Sequence, residues 1–249
     1  MFQVSSILNL KMSLSKLLST YKTLSENSSD SDTEKNVQQS FHKNNGSYTF
    51  SGLISLDDLE NIRDDKITKL MFLNIKLVNT EMYIILNWMS MYNRCKNLTK
   101  LHIQGVRLPT NFFEMLHNYP KLTDVAVRDS NVSCYDLEGL RLNTTIRRLD
   151  LSGNRKLSYL SFLHLIPNLA YLDLSDTNID NTSLQYISML KKLQVLVLCD
   201  THVSDVLIKY INNLKELREL DICNTCVSNE GYQSLIPYIP NLYYHNDVF

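Results

Sequence analysis

The sequence predicts an α/β solenoid in which units of one short strand and one short helix stack along a single continuous core. Three observations carry that reading. A frame Leu-x-x-Leu-x-Leu recurs seven times at a nearly constant spacing. Apolar residues at helical spacing follow it in each of the later copies. The chain of 249 residues is also 44% apolar with only 6 Gly and 5 Pro, which suits a packed array and excludes collagen-like or linker-dominated chains.

The frame falls at Ile67-Leu70-Phe72, Leu98-Leu101-Ile103, Leu122-Val125-Val127, Ile146-Leu149-Leu151, Leu169-Leu172-Leu174, Leu193-Leu196-Leu198 and Leu217-Leu220-Ile222. Its starts advance by 31, 24, 24, 23, 24 and 24 residues. An eighth start is expected at Leu242, which places His245 and Asp247 where leucines would stand and makes a polar cap of the last unit. Alternation within the frame puts its apolar residues on one face of a short strand. Leu184-Ile187-Leu190, Ile208-Ile211-Leu214 and Tyr232-Leu235-Ile239 then form helical stripes, with Asp180, Ser204 and Ser228 as expected N-caps. One unit cannot bury its apolar edge alone. Once stacked, each fully buried Leu contributes roughly 1.5–3 kcal/mol.

These residues resemble the leucine-rich-repeat family over 67–249. The resemblance implies a curved horseshoe with a parallel sheet on its concave face and short helices on its convex face. One departure stands out. Asn, usual at the ninth frame position, occurs there only as Asn154, with Thr177, Thr201 and Thr225 later and Ile75, Val106 and Ser130 earlier. A Thr hydroxyl can still bond loop backbone. The first three turns are therefore expected to be less regular.

The ends read differently. Residues 1–24 carry Ile7, Leu10, Leu14, Leu17, Tyr21 and Leu24 at helical spacing, an amphipathic stripe that could fold back on the domain or dock in another protein's groove. The stretch is also basic and acid-free, as transit peptides are, although it has no Arg; no unbroken apolar run makes it a signal peptide. Residues 25–47 are rich in Ser, Asp and Asn and read as a disordered linker, in which Ser29 and Ser31 match acidophilic kinase sites. Tyr48 and Leu53 lie 24 residues before Phe72 and Leu77, so 48–66 reads as a degenerate capping unit. Met82, Ile85, Trp88, Met89 and Tyr92 point to a longer helix in the first full unit.

Chemistry is sparse. Cys223-x-x-Cys226 has half the form of a metal motif, but both cysteines occupy ordinary repeat positions and no second pair follows. Cys199 and Cys223 should be neighbours on adjacent strands. Histidines are scattered, and no phosphate loop, nucleophile elbow or His-Glu-x-x-His is present. The chain is accordingly read as non-enzymatic, without cofactor or metal. Five cysteines suit a reducing, intracellular setting, with the cytoplasm as the expected compartment. A net charge of -1 gives no reason to expect nucleic acid or membrane as partner.

The outward sheet positions carry the functional reading. Position five holds His102, Asp150, Asp173 and Asp221, and position eight adds Asp129, Asp176 and Asp200. Positions two and three hold Lys69, Lys100, Arg147, Arg148, Tyr171 and Arg218, and Arg128 stands at seven. One margin of the sheet is then basic while the centre and other margin are acidic. Such charges keep a sheet soluble and serve local bonds; they also orient a protein partner. The expected partner-binding set is Lys100, His102, Arg128, Arg148, Asp150, Tyr171, Asp173, Asp176, Asp200 and Asp221. A second reading is a substrate-recognition subunit of a cullin-type ubiquitin ligase. It rests on similarity to F-box and Zyg-11-like receptors, with Ser13-Leu14-Ser15-Lys16-Leu17-Leu18 resembling an elongin-binding box. That box wants a small residue where Leu18 stands.

Overall fold

Each repeat places its first, fourth and sixth frame residues against the same residues of its neighbours, and the architecture follows from that stacking. The computed structural model describes residues 40–44, 47–51, 67–73 and 95–245. The stripe in 1–24 and the helix expected at 82–92 lie outside these residues, as does most of the linker. Ten strands form one sheet in sequence order: β1 (Ser40–Asn44), β2 (Ser47–Ser51), β3 (Lys69–Leu73), β4 (Lys100–Gln104), β5 (Asp124–Arg128), β6 (Arg148–Asp150), β7 (Tyr171–Asp173), β8 (Val195–Val197), β9 (Glu219–Asp221) and β10 (Asn241–Tyr243). From β2 to β10 every pairing is parallel.

Leu70, Leu101, Val125, Leu149, Leu172, Leu196 and Leu220 pair in register, and each is almost wholly buried. From the second repeat on, the described helical halves pack against the buried side of the sheet. Its helices are short: α1 (Phe112–Met115), α2 (Cys134–Leu137), α3 (Leu184–Ile187), α4 (Leu207–Ile211) and α5 (Asn229–Leu235), with 3-10 turns between. Leu184, Ile187, Leu207, Ile211 and Leu235 join the frame residues in one core. Two of the three expected caps hold. Asp180 accepts from the Thr182 backbone at 2.9 Å and Ser228 from Gly231 at 3.0 Å. Ser204 instead exchanges bonds with Asn181 of the preceding repeat. A cap the sequence reading overlooked is Ser133, which pairs with Asp136 at the start of α2.

Turns after the strands follow a simple rule. Position eight is left-handed in six successive repeats: Gly105, Asp129, Gly153, Asp176, Asp200 and Asn224 have φ between +48° and +73°. Only Gly, Asn and Asp adopt that conformation readily. A Cβ on Gly153 would also meet the Asp129 carboxylate at 2.0 Å. At position nine the fully buried Asn154 donates to Val127 O and Leu151 O and accepts from the Ser130 and Val132 backbone. Thr177, Thr201 and Thr225 each donate to a carbonyl of their own repeat at 2.6–2.8 Å. Ser130 bonds Arg128 O and accepts from Val106, so the third turn is more regular than expected.

Both ends depart from the expected frame. Leu242 pairs with Leu220, so it is a fourth-position residue and not a first. Ile239 fills the first position and is buried, while Tyr244 fills the sixth and stacks on Tyr232 at 4.6 Å. An aromatic stack thus stands beside the exposed His245 at this end, and Asp247 lies outside the described residues. At the other end Tyr48 pairs with Leu70, not Phe72. The spacing is 22 residues at both ends, and counting by 24 misplaced the register. The expected linker also ends earlier than Ser47, because β1 pairs antiparallel with β2. Asn45 and Gly46, the sequence between these strands, are the residue pair that favours a two-residue hairpin.

Replacing Asn154 by Ala leaves two backbone donors and two carbonyls buried without their partner. It should lower stability by about 2–4 kcal/mol, against about 1 kcal/mol for Thr177→Val, in urea unfolding of the full chain. Equal losses would show that the Asn does not join the repeats.

Candidate interaction face

Strand alternation turns the third, fifth and seventh frame residues away from the helices, onto the open face of the sheet. On β4 to β7 these side chains form a connected set. Asp124 lies at its first node: His102 Nε2 approaches its carboxylate at 3.3 Å, Lys100 Nζ at 3.5 Å and Arg148 Nε at 3.6 Å. Burial alone would raise the Asp124 carboxyl. The His102 hydrogen bond and the charges of His102, Arg148 and Lys100 outweigh it and hold the group below the ordinary range. Asp150 lies at the second node, buried, with Arg128 Nε at 2.7 Å and the Ser152 N–H and hydroxyl at 3.1 and 2.8 Å.

The two nodes are followed by a third that is unlike them. The Arg148 guanidinium lies 3.5 Å from the centroid of the Tyr171 ring, which orients the ring by cation–π attraction. Tyr171 donates to Asp173 Oδ2 at 3.3 Å. Burial, with the Asp173 charge, pushes the phenol up to about 12, so it remains a donor at neutral pH. Asp173 accepts from the Ser175 N–H and hydroxyl at 3.0 and 2.7 Å. Among the described residues it forms no ion pair, and burial with the nearby Asp150 charge raises its pKa despite those bonds.

Seven of the ten sequence-predicted residues are therefore brought together: Lys100, His102, Arg128, Arg148, Asp150, Tyr171 and Asp173. The other three stand apart. Asp176 occupies a left-handed turn and pairs with the exposed Arg155 at 2.9 Å. Asp200 occupies the next such turn and accepts from Asn224 at 3.2 Å. The backbone conformation alone accounts for Asp at both. Asp221 faces Cys199 and Cys223 instead.

Asp124 was missed because the third position was read for its cations alone. It and Glu219 share that column with Lys69, Lys100 and Arg148, so no basic margin runs along the sheet. Charge is instead sorted by strand order. At positions three, five and seven, β3–β6 carry Lys69, Lys100, Arg128 and Arg148 against Asp124 and Asp150, whereas β7–β9 carry Asp173, Glu219 and Asp221 and neither Lys nor Arg.

Stacked repeats with one such open face define a repeat scaffold, and sequence comparison says which. Residues 160–242 match the profile described as "Zer-1-like, Leucine-rich repeats", and 142–159 match a general leucine-rich-repeat profile. These are leucine-rich repeats, and the chain folds as a leucine-rich-repeat solenoid. Among solved structures it is similar to an internalin (inlF) from Listeria monocytogenes, with 15% identity, a TM-score of 0.50, and coverage of 79% of this chain and 59% of that one. It is likewise similar to the protein in the TLR13–ssRNA13 complex, with 19% identity, a TM-score of 0.50, and coverage of 67% of this chain and 27% of that one. The chain thus spans less than two thirds of either. No curated protein matches it in sequence. Leucine-rich-repeat domains generally mediate protein–protein interaction, and the fold is typically a non-enzymatic scaffold. No helix among the described residues is long and apolar enough to cross a membrane.

The two carboxylates make opposite predictions. Arg128→Ala leaves Asp150 buried and unpaired, and should cost about 2 kcal/mol, less than a fully buried pair because Arg128 is half-exposed. Asp173→Asn should raise the denaturation midpoint at pH 7. A raised folded-state pKa means that the charged form disfavours the fold, so the gain exists above the folded pKa and vanishes below the unfolded one. Urea midpoints at pH 7 and near pH 3 for both variants check this; a loss with Asp173→Asn at pH 7 would contradict the reading.

Proposed function

We propose that the open face on β4–β7 binds a protein partner through a basic side chain of that partner set against Asp173 and Tyr171. One observation carries this reading. Asp124 and Asp150 each have a cation within ion-pair distance, while Asp173, on the same face, is desolvated and has only the more distant Arg128, which is already engaged by Asp150. A Lys or Arg from outside completes the arrangement, and Tyr171 supplies an oriented aromatic surface beside it, the residue types that dominate binding energy. Lys100, His102, Arg128, Arg148 and Asp150 then act by fixing the face. The acidic side chains of β7–β9 favour a basic polypeptide over a polyanion.

Quantitative pull-downs with the full chain test it. Asp173→Asn and Tyr171→Ala should each reduce recovery of a specific partner at least about tenfold, a loss of the size expected at an interface centre. Tyr135→Ala, 85% exposed on the helical side, should leave recovery unchanged. The opposite pattern would move the binding surface to the helices.

The second reading is a substrate-recognition subunit of a cullin-type ubiquitin ligase recruited through residues 1–24, and the resemblance of the repeats to F-box and Zyg-11-like receptors supports it. Deleting those residues should then remove cullin adaptors from the purified complex while partner recovery through β4–β7 persists. Adaptors absent from the intact chain would dismiss it.

A further inference from the structure

We infer that Cys199, Asp221 and Cys223 form a zinc site on the open face at the C-terminal end of the sheet. In the two earlier repeats with Asp at position five, Asp150 and Asp173, that Asp bonds a Ser two residues on, Ser152 or Ser175. The repeat that starts at Leu217 keeps the Asp and changes its partner: Cys223 takes the place of Ser, and Cys199 stands at the same position one strand earlier. Pairing of Val197 with Asp221, and the bond from Asp200 N–H to Cys223 O, set the two cysteines side by side. Asp221 lies two residues before Cys223 and shares its face. The result is a carboxylate oxygen and two sulfurs all within 4.8 Å of one another, each on a partly buried residue.

That spacing is within reach of the ion. Zinc bonds thiolate sulfur at about 2.3 Å and carboxylate oxygen at about 2.0–2.2 Å, so the edges of its tetrahedron are about 3.5–3.8 Å. Small rotations about the side-chain bonds close the difference. Two soft sulfurs with one oxygen select zinc over calcium or magnesium, whose preferred ligands are oxygens. Three ligands leave a fourth position for water or for a group on whatever occupies the face. The cysteines are free. Zinc takes each sulfur as a thiolate, so binding the two cysteines releases two protons per zinc, one from each sulfur. The motif visible in the sequence, Cys223-x-x-Cys226, is not the site. Cys226 is exposed at position ten, outside the trio.

Cobalt(II) is the probe. Titrated into the full chain, reduced and freed of metal, it should give the near-ultraviolet thiolate band and strong visible bands of a tetrahedral site, saturating at one equivalent and displaced by zinc. Affinity should rise with pH, because the bound sulfurs are deprotonated. Cys199→Ser and Cys223→Ser, which install the residue that earlier repeats carry at this position, should abolish the thiolate band with the far-ultraviolet circular dichroism unchanged. Asp221→Asn should weaken binding at least tenfold, and Cys226→Ser should change nothing. Absence of the bands in the wild type, their survival in either position-seven variant, or unchanged affinity in Asp221→Asn overturns the assignment.

Discussion

The constraint on which everything else depends is that no repeat can bury its own apolar edge. Leu149 is sealed by Val125 on one side and Leu172 on the other, and the same holds along the array. The contribution of each leucine is realised only when its neighbours are in place, so stability is a sum over interfaces between repeats. Parallel pairing follows, because each strand must re-enter beside the last in the same sense. So do the terminal devices. A hairpin strand lies against one edge of the parallel sheet, and the Tyr232–Tyr244 stack packs at the last repeat.

A sheet held this rigidly by its buried side can carry unfavourable chemistry on the other. Asp124 and Asp150 are nearly buried on a face nominally open to water, and each is tolerated because cations converge on it. Asp173 gains only hydroxyl and amide donors, which lessen its desolvation without neutralising its charge. Nothing in the folding of the repeat requires that arrangement: Val197 stands at the same position on the next strand without disturbing the pairing. A carboxylate at odds with the stability of its own fold is the kind of residue retained for binding.

Period and residue type made the core legible. Every described first, fourth and sixth residue named from the frame is buried as expected, because apolar spacing is what the stacking selects. The ends were legible only in kind. A terminal repeat packs against a single neighbour and its turn can shorten, so a 24-residue count carried Leu242 and Tyr48 out of register. On the open face, local sequence shows which residues point outward but not which pairs meet across 22 to 24 positions. Asp124 went unnoticed among the cations it neutralises, and Cys226 drew attention that belonged to Cys199. Position eight shows the converse: Asp176 and Asp200 look functional until their positive φ explains them.

The strands also shorten along the array, from five residues in β3–β5 to three in β6–β10. Where position five is Asp, its carboxylate accepts the position-seven N–H, as Asp150, Asp173 and Asp221 do, and draws that group out of the ladder. The backbone bonds between repeats nevertheless continue past the short strands, from Gly153 N–H to Ser175 O, from Asp176 to Cys199 and from Asp200 to Cys223. A short strand here marks one ladder bond taken over by a side chain, and the face keeps its register while its chemistry changes.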